Sequence, residues 1–105
     1  MTEMFKNLIA GEWAASGNAS RNINPSNTGD VVGEYAQGSV ADLDNAVAAA
    51  KAAFPAWSRS GPQERYEILK KASDEILARK EELGRLLSRE EGKTLAEGIG
   101  EAGRA

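Results

Sequence analysis

The run Gly98-Ile99-Gly100-Glu101-Ala102-Gly103 matches G-x-G-x-x-G letter for letter. That spacing carries chemistry when the glycines form a tight turn between a strand and a helix, because a pyrophosphate can then reach the helix N-terminus. Helical sequence precedes Gly98 and no apolar strand runs into it, so the match is read as coincidental. Glu90-Glu91 offers two carboxylates, but adjacent helical residues point about 100° apart and do not converge on one substrate atom. The pair reads as a solvated helix end. Lys93, beside Gly92 at a helix boundary, is expected to be exposed and charged rather than an activated amine. Asn18-Ala19-Ser20 fits a glycosylation sequon and is read as a polar loop.

The missing residue types exclude more than the present ones suggest. The 105 residues contain no cysteine and no histidine. A thiolate nucleophile, a histidine base, a disulfide and a thiolate or imidazole zinc site are therefore absent from this segment. Thirteen basic and sixteen acidic side chains give a net charge of −3, with no basic stripe to neutralise phosphates. Neither nucleic acid nor an anionic membrane is an expected partner. Met1-Thr2-Glu3-Met4-Phe5-Lys6 lacks the basic and apolar regions of a secretory leader. The longest mostly apolar run, Val40 to Trp57, is broken by Asp42, Asp44, Asn45 and Lys51 and does not span a bilayer. A cytoplasmic protein is expected.

The elements divide the chain into strands and turns over 1–38 and helices over 39–105. Phe5 to Ala15 predicts a hairpin or a bulged strand about Gly11-Glu12, Ser16 to Ser20 a loop, and Asn24 to Asp30 a turn set by Pro25 and Gly29. Val31 to Ala36 predicts a short strand. Ser39 and Asp42 form a capping box for a first helix whose apolar face is Val40, Leu43, Val47, Ala50 and Phe54. Pro55 is expected to stop it near Phe54. Pro62 opens a second helix with an inward stripe of Arg65, Ile68, Leu69, Ala72 and Ile76, and with surface pairs Glu67–Lys71 and Glu75–Arg79. A break near Lys80 precedes a third helix, carrying Leu83, Leu86 and Leu87 and ending at Gly92. Thr94 and Glu97 cap a fourth that is expected to run uninterrupted to Ala105, as in a chain truncated within an element. Much of the apolar content is alanine, and Trp13, Phe54 and Trp57 are expected to anchor the packing.

Taken in order, these segments resemble the opening of the NAD(P)-dependent aldehyde dehydrogenase superfamily. Ile9-Ala10-Gly11-Glu12-Trp13 is similar to its first hairpin. Asn24-Pro25 followed by Thr28-Gly29-Asp30-Val31-Val32 resembles its N-P-x-x-G-E-V segment, with Ser26-Asn27-Thr28 read as holding the usual spacing. Leu43 through Phe54-Pro55-Ala56-Trp57 resembles its first helix, and Gly61-Pro62-Gln63-Glu64-Arg65 with Ile68-Leu69 its second. Glu90-Glu91-Gly92-Lys93 resembles E-T-G-K, with Glu91 in place of the commoner threonine.

The resemblance implies an α/β fold in the intact enzyme, of which this segment would supply the N-terminal hairpin and short strands followed by three to four helices of the cofactor-binding domain. It implies oxidation of an aldehyde, of the dicarboxylic semialdehyde kind, to an acid with NAD or NADP, in a homo-oligomer. The nucleophile, base and dinucleotide contacts of that chemistry match no position here, so no catalytic or cofactor-binding residue is assigned and the segment alone is expected to be inactive. The resemblance also implies a structural monovalent cation held by backbone carbonyls, whose matching positions are Ile23 and Glu90. The alternative is an autonomous helical interaction module without enzymatic activity, which would show a closed core, well-satisfied helix ends and a defined groove. A piece of a larger enzyme would instead leave apolar helix faces exposed.

Overall fold

The computed structural model describes residues 3–105. Met1 and Thr2, which begin the 1–38 segment and the stretch read for a leader, lie outside the described residues. Five strands precede four helices: β1 (Met4–Phe5), β2 (Asn7–Ile9), β3 (Glu12–Ala14), β4 (Ala19–Ile23), β5 (Val31–Ala36), α1 (Val40–Arg59), α2 (Pro62–Ala78), α3 (Lys80–Glu91) and α4 (Leu95–Ala102). The chain forms two compact units. One holds the residues up to Asn22 with Gly33–Ser60, and the other holds Ile23–Val32 with Gly61–Ala105.

In the first unit β5 lies between β1 and β4. β1 runs parallel to it, pairing Met4 with Glu34 and Phe5 with Tyr35, whose rings stack with centroids 5.1 Å apart. Across β4 and β5, Arg21 Nε donates to Glu34 Oε1 at 2.9 Å. β4 replaces part of the loop expected from Ser16 to Ser20. Its residues Ala-Ser-Arg-Asn-Ile are mostly exposed, so it lacks the apolar alternation by which a half-buried strand is recognised. β2 and β3 form the expected hairpin, but its turn is Ala10-Gly11 rather than Gly11-Glu12. Both turn residues have positive φ, 53° and 80°, as a two-residue hairpin connection of the right twist requires.

Ser39 and Asp42 make the capping box of α1: the Ser39 hydroxyl accepts from the Asp42 N–H, and the Asp42 carboxylate accepts from the Ser39 N–H. The helix does not stop at Phe54. It continues through Pro55 to Arg59, where the Ser60 N–H donates to the Trp57 carbonyl. A proline inside a helix removes its own N–H donor and costs about 3 kcal/mol. Here the surrounding turn is exposed, so water can serve the bereft carbonyl, and the residues that follow resume helical bonding. The expected apolar face is exposed: Val40, Leu43, Val47 and Phe54 are each at least half open to solvent. The half-buried residues of α1 include Asp42, Ala46 and Ala49 instead. Trp13 and Phe54, at 66% exposure each, do not anchor a core, and Trp57 is also exposed.

In the second unit Pro62 occupies the first turn of α2. Of its expected inward stripe Arg65 and Ile76 are half-buried, whereas Ile68, Leu69 and Ala72 are exposed. Glu75 pairs with Arg79 as expected, while Glu67 accepts from Gln63 rather than Lys71 and Lys70 pairs with Asp74. The break falls at Arg79, and α3 ends on Gly92 in the left-handed region at φ 73°.

The closest packing in this unit is between α3 and α4. A Cβ on Gly84 would stand 2.5 Å from the Ile99 backbone, and one on Gly98 would overlap the Gly84 carbonyl oxygen. Helix backbones approach this closely only where side chains are missing. Gly84, Gly98 and Ala102 are buried there. α4 does not run on to Ala105. It ends at Ala102, where the Gly103 N–H donates to Ile99 O and turn bonds follow at Arg104 and Ala105. These residues close the last carbonyls of a short helix with tighter turns.

Two outcomes follow. Gly98→Ala is expected to destabilise the unit by about 1–3 kcal/mol through overpacking. Gly100→Ala, on the same helix with nothing within 4 Å, is expected to stabilise it by up to about 1 kcal/mol; thermal melting of the two variants compares them directly. Hydrogen bonds from the Ser39 backbone and hydroxyl hold the Asp42 carboxyl below its ordinary range, and those from the Thr94 hydroxyl and backbone do the same for Glu97. The stability they contribute is fully present above the ordinary carboxylate pKa of about 4 and is lost as pH falls through the lower folded values. Asp42→Asn and Glu97→Gln should therefore lower the melting temperature near neutrality, with the difference from wild type closing as the pH is taken below that range.

Candidate functional site

The segments carrying Ile23 and Glu90 meet in the second unit. Ile23 is the last residue of β4 and Glu90 lies next to last in α3. After Ile23 the chain turns on Asn24-Pro25. The Asn24 side-chain carbonyl accepts from the Ser26 N–H at 2.9 Å, and its backbone carbonyl accepts from Asn27 at 3.1 Å. Asp30 closes the loop: the Asn24 N–H donates to Asp30 O at 3.0 Å, and Asn24 Nδ2 donates to Asp30 Oδ2 at 3.1 Å. Asparagine, proline and serine favour this loop because their side chains fix φ or replace a backbone acceptor.

The same Asp30 carboxylate receives a fork from α3. Arg89 Nη2 donates to Oδ1 at 2.7 Å and Arg89 Nε to Oδ2 at 3.1 Å, across 59 positions of sequence. The guanidinium, and secondarily the Asn24 amide, hold the Asp30 carboxyl below its ordinary range. Beyond α3 the left-handed Gly92 comes against the turn, where an added Cβ would be 3.0 Å from Pro25 Cγ and 3.2 Å from Ser26 Oγ. Glycine is required there twice over, for its φ and for the space.

Lys93 is less exposed than its position beside Gly92 suggests, with 21% of its side chain open. Its Nζ lies 2.5 Å from Glu101 and 2.8 Å from Glu91, and its carbonyl accepts from the Ser88 hydroxyl at 2.7 Å. Glu101 chiefly, then Glu91, raises its pKa above the ordinary lysine value. An amine held as a cation is a tie between α3 and α4 and a poor nucleophile. Glu91 is engaged in that tie. The glycine-rich run forms part of α4, where Gly98 serves helix packing against Gly84, so it supplies no phosphate-binding turn.

Among the described residues no three acidic side chains cluster as a metal site. Besides the side-chain oxygens of Asp30 and Asn24, both segments bring main-chain carbonyls to this corner. Carbonyl oxygens suit a hard cation, and the C-terminal end of a helix carries partial negative charge. Ile23 and Glu90 each carry a main-chain carbonyl, an oxygen donor of the class that a hard cation takes, on the two segments that the Asp30–Arg89 fork joins. The Asp30–Arg89 fork was not foreseen from the sequence. Its only signal was the acidic residue in the position that follows Gly29, since nothing local links it to a residue 59 positions away.

Residues 13–105 match the sequence model of the aldehyde dehydrogenase family. An α-ketoglutarate semialdehyde dehydrogenase of Haloferax volcanii is 39% identical over all of this chain and 22% of its own length. A mitochondrial succinate-semialdehyde dehydrogenase of Arabidopsis thaliana is 38% identical over 90% of the chain and 18% of its own length. The crystal structure of an NAD-dependent aldehyde dehydrogenase from Sinorhizobium meliloti superposes with a TM-score of 0.90 at 36% identity, covering 98% of this chain and 21% of that one. The chain therefore spans about a fifth of the length of the relatives it matches. With the family's sequence pattern running from Trp13 to Ala105 and its fold reproduced over nearly the whole segment, this chain belongs to the aldehyde dehydrogenase family.

Proposed function

We propose that this chain is the N-terminal portion of an NAD(P)-dependent aldehyde dehydrogenase that oxidises a dicarboxylic semialdehyde to the corresponding acid. The observation that carries the reading is the family match over residues 13–105, joined to relatives whose own names specify α-ketoglutarate and succinate semialdehydes. Such a reaction needs a nucleophile to add to the aldehyde carbon, an acceptor for the hydride and a base to activate water for release of the acid. The chain has no cysteine or histidine, and Lys93 is held as a cation, so these roles fall to residues outside the segment. What the segment supplies is a framework of strands and helices. The reading extends to a cytoplasmic homo-oligomer, and to a structural monovalent cation bound by the carbonyls of Ile23 and Glu90. The meeting of the Asn-Pro turn with the end of α3, and the hard oxygen donors there, support the cation.

Assays of NAD(P)H formation by the full-length enzyme should give a kcat/KM at least about tenfold higher for succinate semialdehyde than for an uncharged aldehyde of similar length, a difference of about 1.4 kcal/mol in transition-state binding. Equal or inverted preference would contradict the substrate class, and residues 1–105 alone should form no NAD(P)H. Lys93 should react with an acylating anhydride more slowly than the exposed Lys51, as read by peptide mass spectrometry. Preferential labelling of Lys93 would restore it as a candidate nucleophile.

A further inference from the structure

We propose that Asp30 and Arg89 are positioning residues that hold the two segments bearing the Ile23 and Glu90 carbonyls in the register a monovalent cation requires. The inference rests on the reading of those carbonyls as cation ligands. It comes from one connected run of hydrogen bonds. Asn24, the residue after Ile23, donates through Nδ2 to the Asp30 carboxylate. Arg89, the residue before Glu90, donates to both oxygens of the same carboxylate. Each ligand position is thus one peptide bond from a side chain clamped to Asp30.

An ordinary surface ion pair does not have this form. Such pairs contribute little, and most on helices are local. The Asp30–Arg89 pair is bidentate, spans 59 positions and shares its acceptor with the turn that follows Ile23. Planar two-point recognition fixes orientation as well as distance, a property that a lysine in place of Arg89 does not reproduce. The contact of Gly92 with Pro25 and Ser26 sets how closely the segments approach, and the fork sets how they are turned. Main-chain carbonyls have no side-chain freedom with which to adapt to an ion, so their separation depends on what holds the two backbones. Outer-shell groups of this kind typically govern metal affinity by ten- to a hundredfold.

The test uses the full-length dehydrogenase and reads its melting temperature against KCl or NaCl, with tetramethylammonium chloride keeping ionic strength constant. Wild type should melt higher as potassium or sodium rises. Asp30→Asn and Arg89→Lys should raise the half-saturating cation concentration about tenfold. Their melting temperatures in tetramethylammonium alone should stay close to wild type. Asp30→Glu, which keeps the charge and both acceptors, should stay within about twofold of wild type. If wild type responds to the cation but the variants share its half-saturation, or melt lower by a constant amount at every concentration, the pair is merely structural and the proposal is overturned. A wild type indifferent to both cations overturns the cation reading itself, and the proposal falls with it.

Discussion

The contact of two helix backbones at Gly84 and Gly98 sets the geometry of the second unit. Because neither residue carries a Cβ, α4 lies directly on α3, and the chain between them must reverse within Gly92, Lys93 and Thr94. Gly92 takes the left-handed conformation that allows the reversal, and Thr94 caps the new helix with Glu97. The approach also places Glu101 within reach of Lys93, so an ion pair ties the start of the connection to α4. The Asn-Pro turn then fits against Gly92, and Asp30 receives Arg89. A side chain at either helix glycine would separate the helices and loosen each of these contacts in turn.

Much of this was legible in the sequence because it rests on local chemistry. Both capping boxes, the proline that opens α2, the glycine that ends α3 and the turn at Asn24-Pro25 depend on residues within a few positions of one another. The misreadings have a common physical origin as well. Pro55 breaks a helix by local rules, yet α1 continues through it. β4 carries no apolar alternation, and its pairing with β5 is a property of the sheet. The G-x-G-x-x-G run lies within α4 and its end, and its first glycine has a use that only the α3–α4 crossing reveals. The Asp30–Arg89 fork is of the same kind, since side chains 59 positions apart meet only through the fold.

The distribution of apolar side chains bears on what the segment is for. Among the described residues, Ala36 and Ala102 are the buried apolar side chains, while Leu43, Val47 and Phe54 on α1 and Tyr66, Ile68 and Leu69 on α2 are at least half exposed. Exposed apolar surface of this extent is atypical of a monomeric domain. An autonomous helical module with a closed core would bury those faces. The relatives that this chain matches are about five times its length, and the proposed reading, a segment of such an enzyme, would leave these faces for further polypeptide to cover. Alanine-rich helices suit that role: they form readily and offer flat surfaces, though each residue buries little by itself.

Amide hydrogen exchange, compared between residues 1–105 in isolation and the same residues within the full-length enzyme, addresses this account most directly. Protection is expected to rise markedly in the full-length enzyme over Leu43–Phe54 and Tyr66–Leu77, whose apolar faces are open here, and to change least around the Gly84–Gly98 crossing, which the segment closes by itself. Equal protection of α1 and α2 in both settings would contradict it, because the segment would then be a self-sufficient domain rather than a framework completed by the rest of a dehydrogenase.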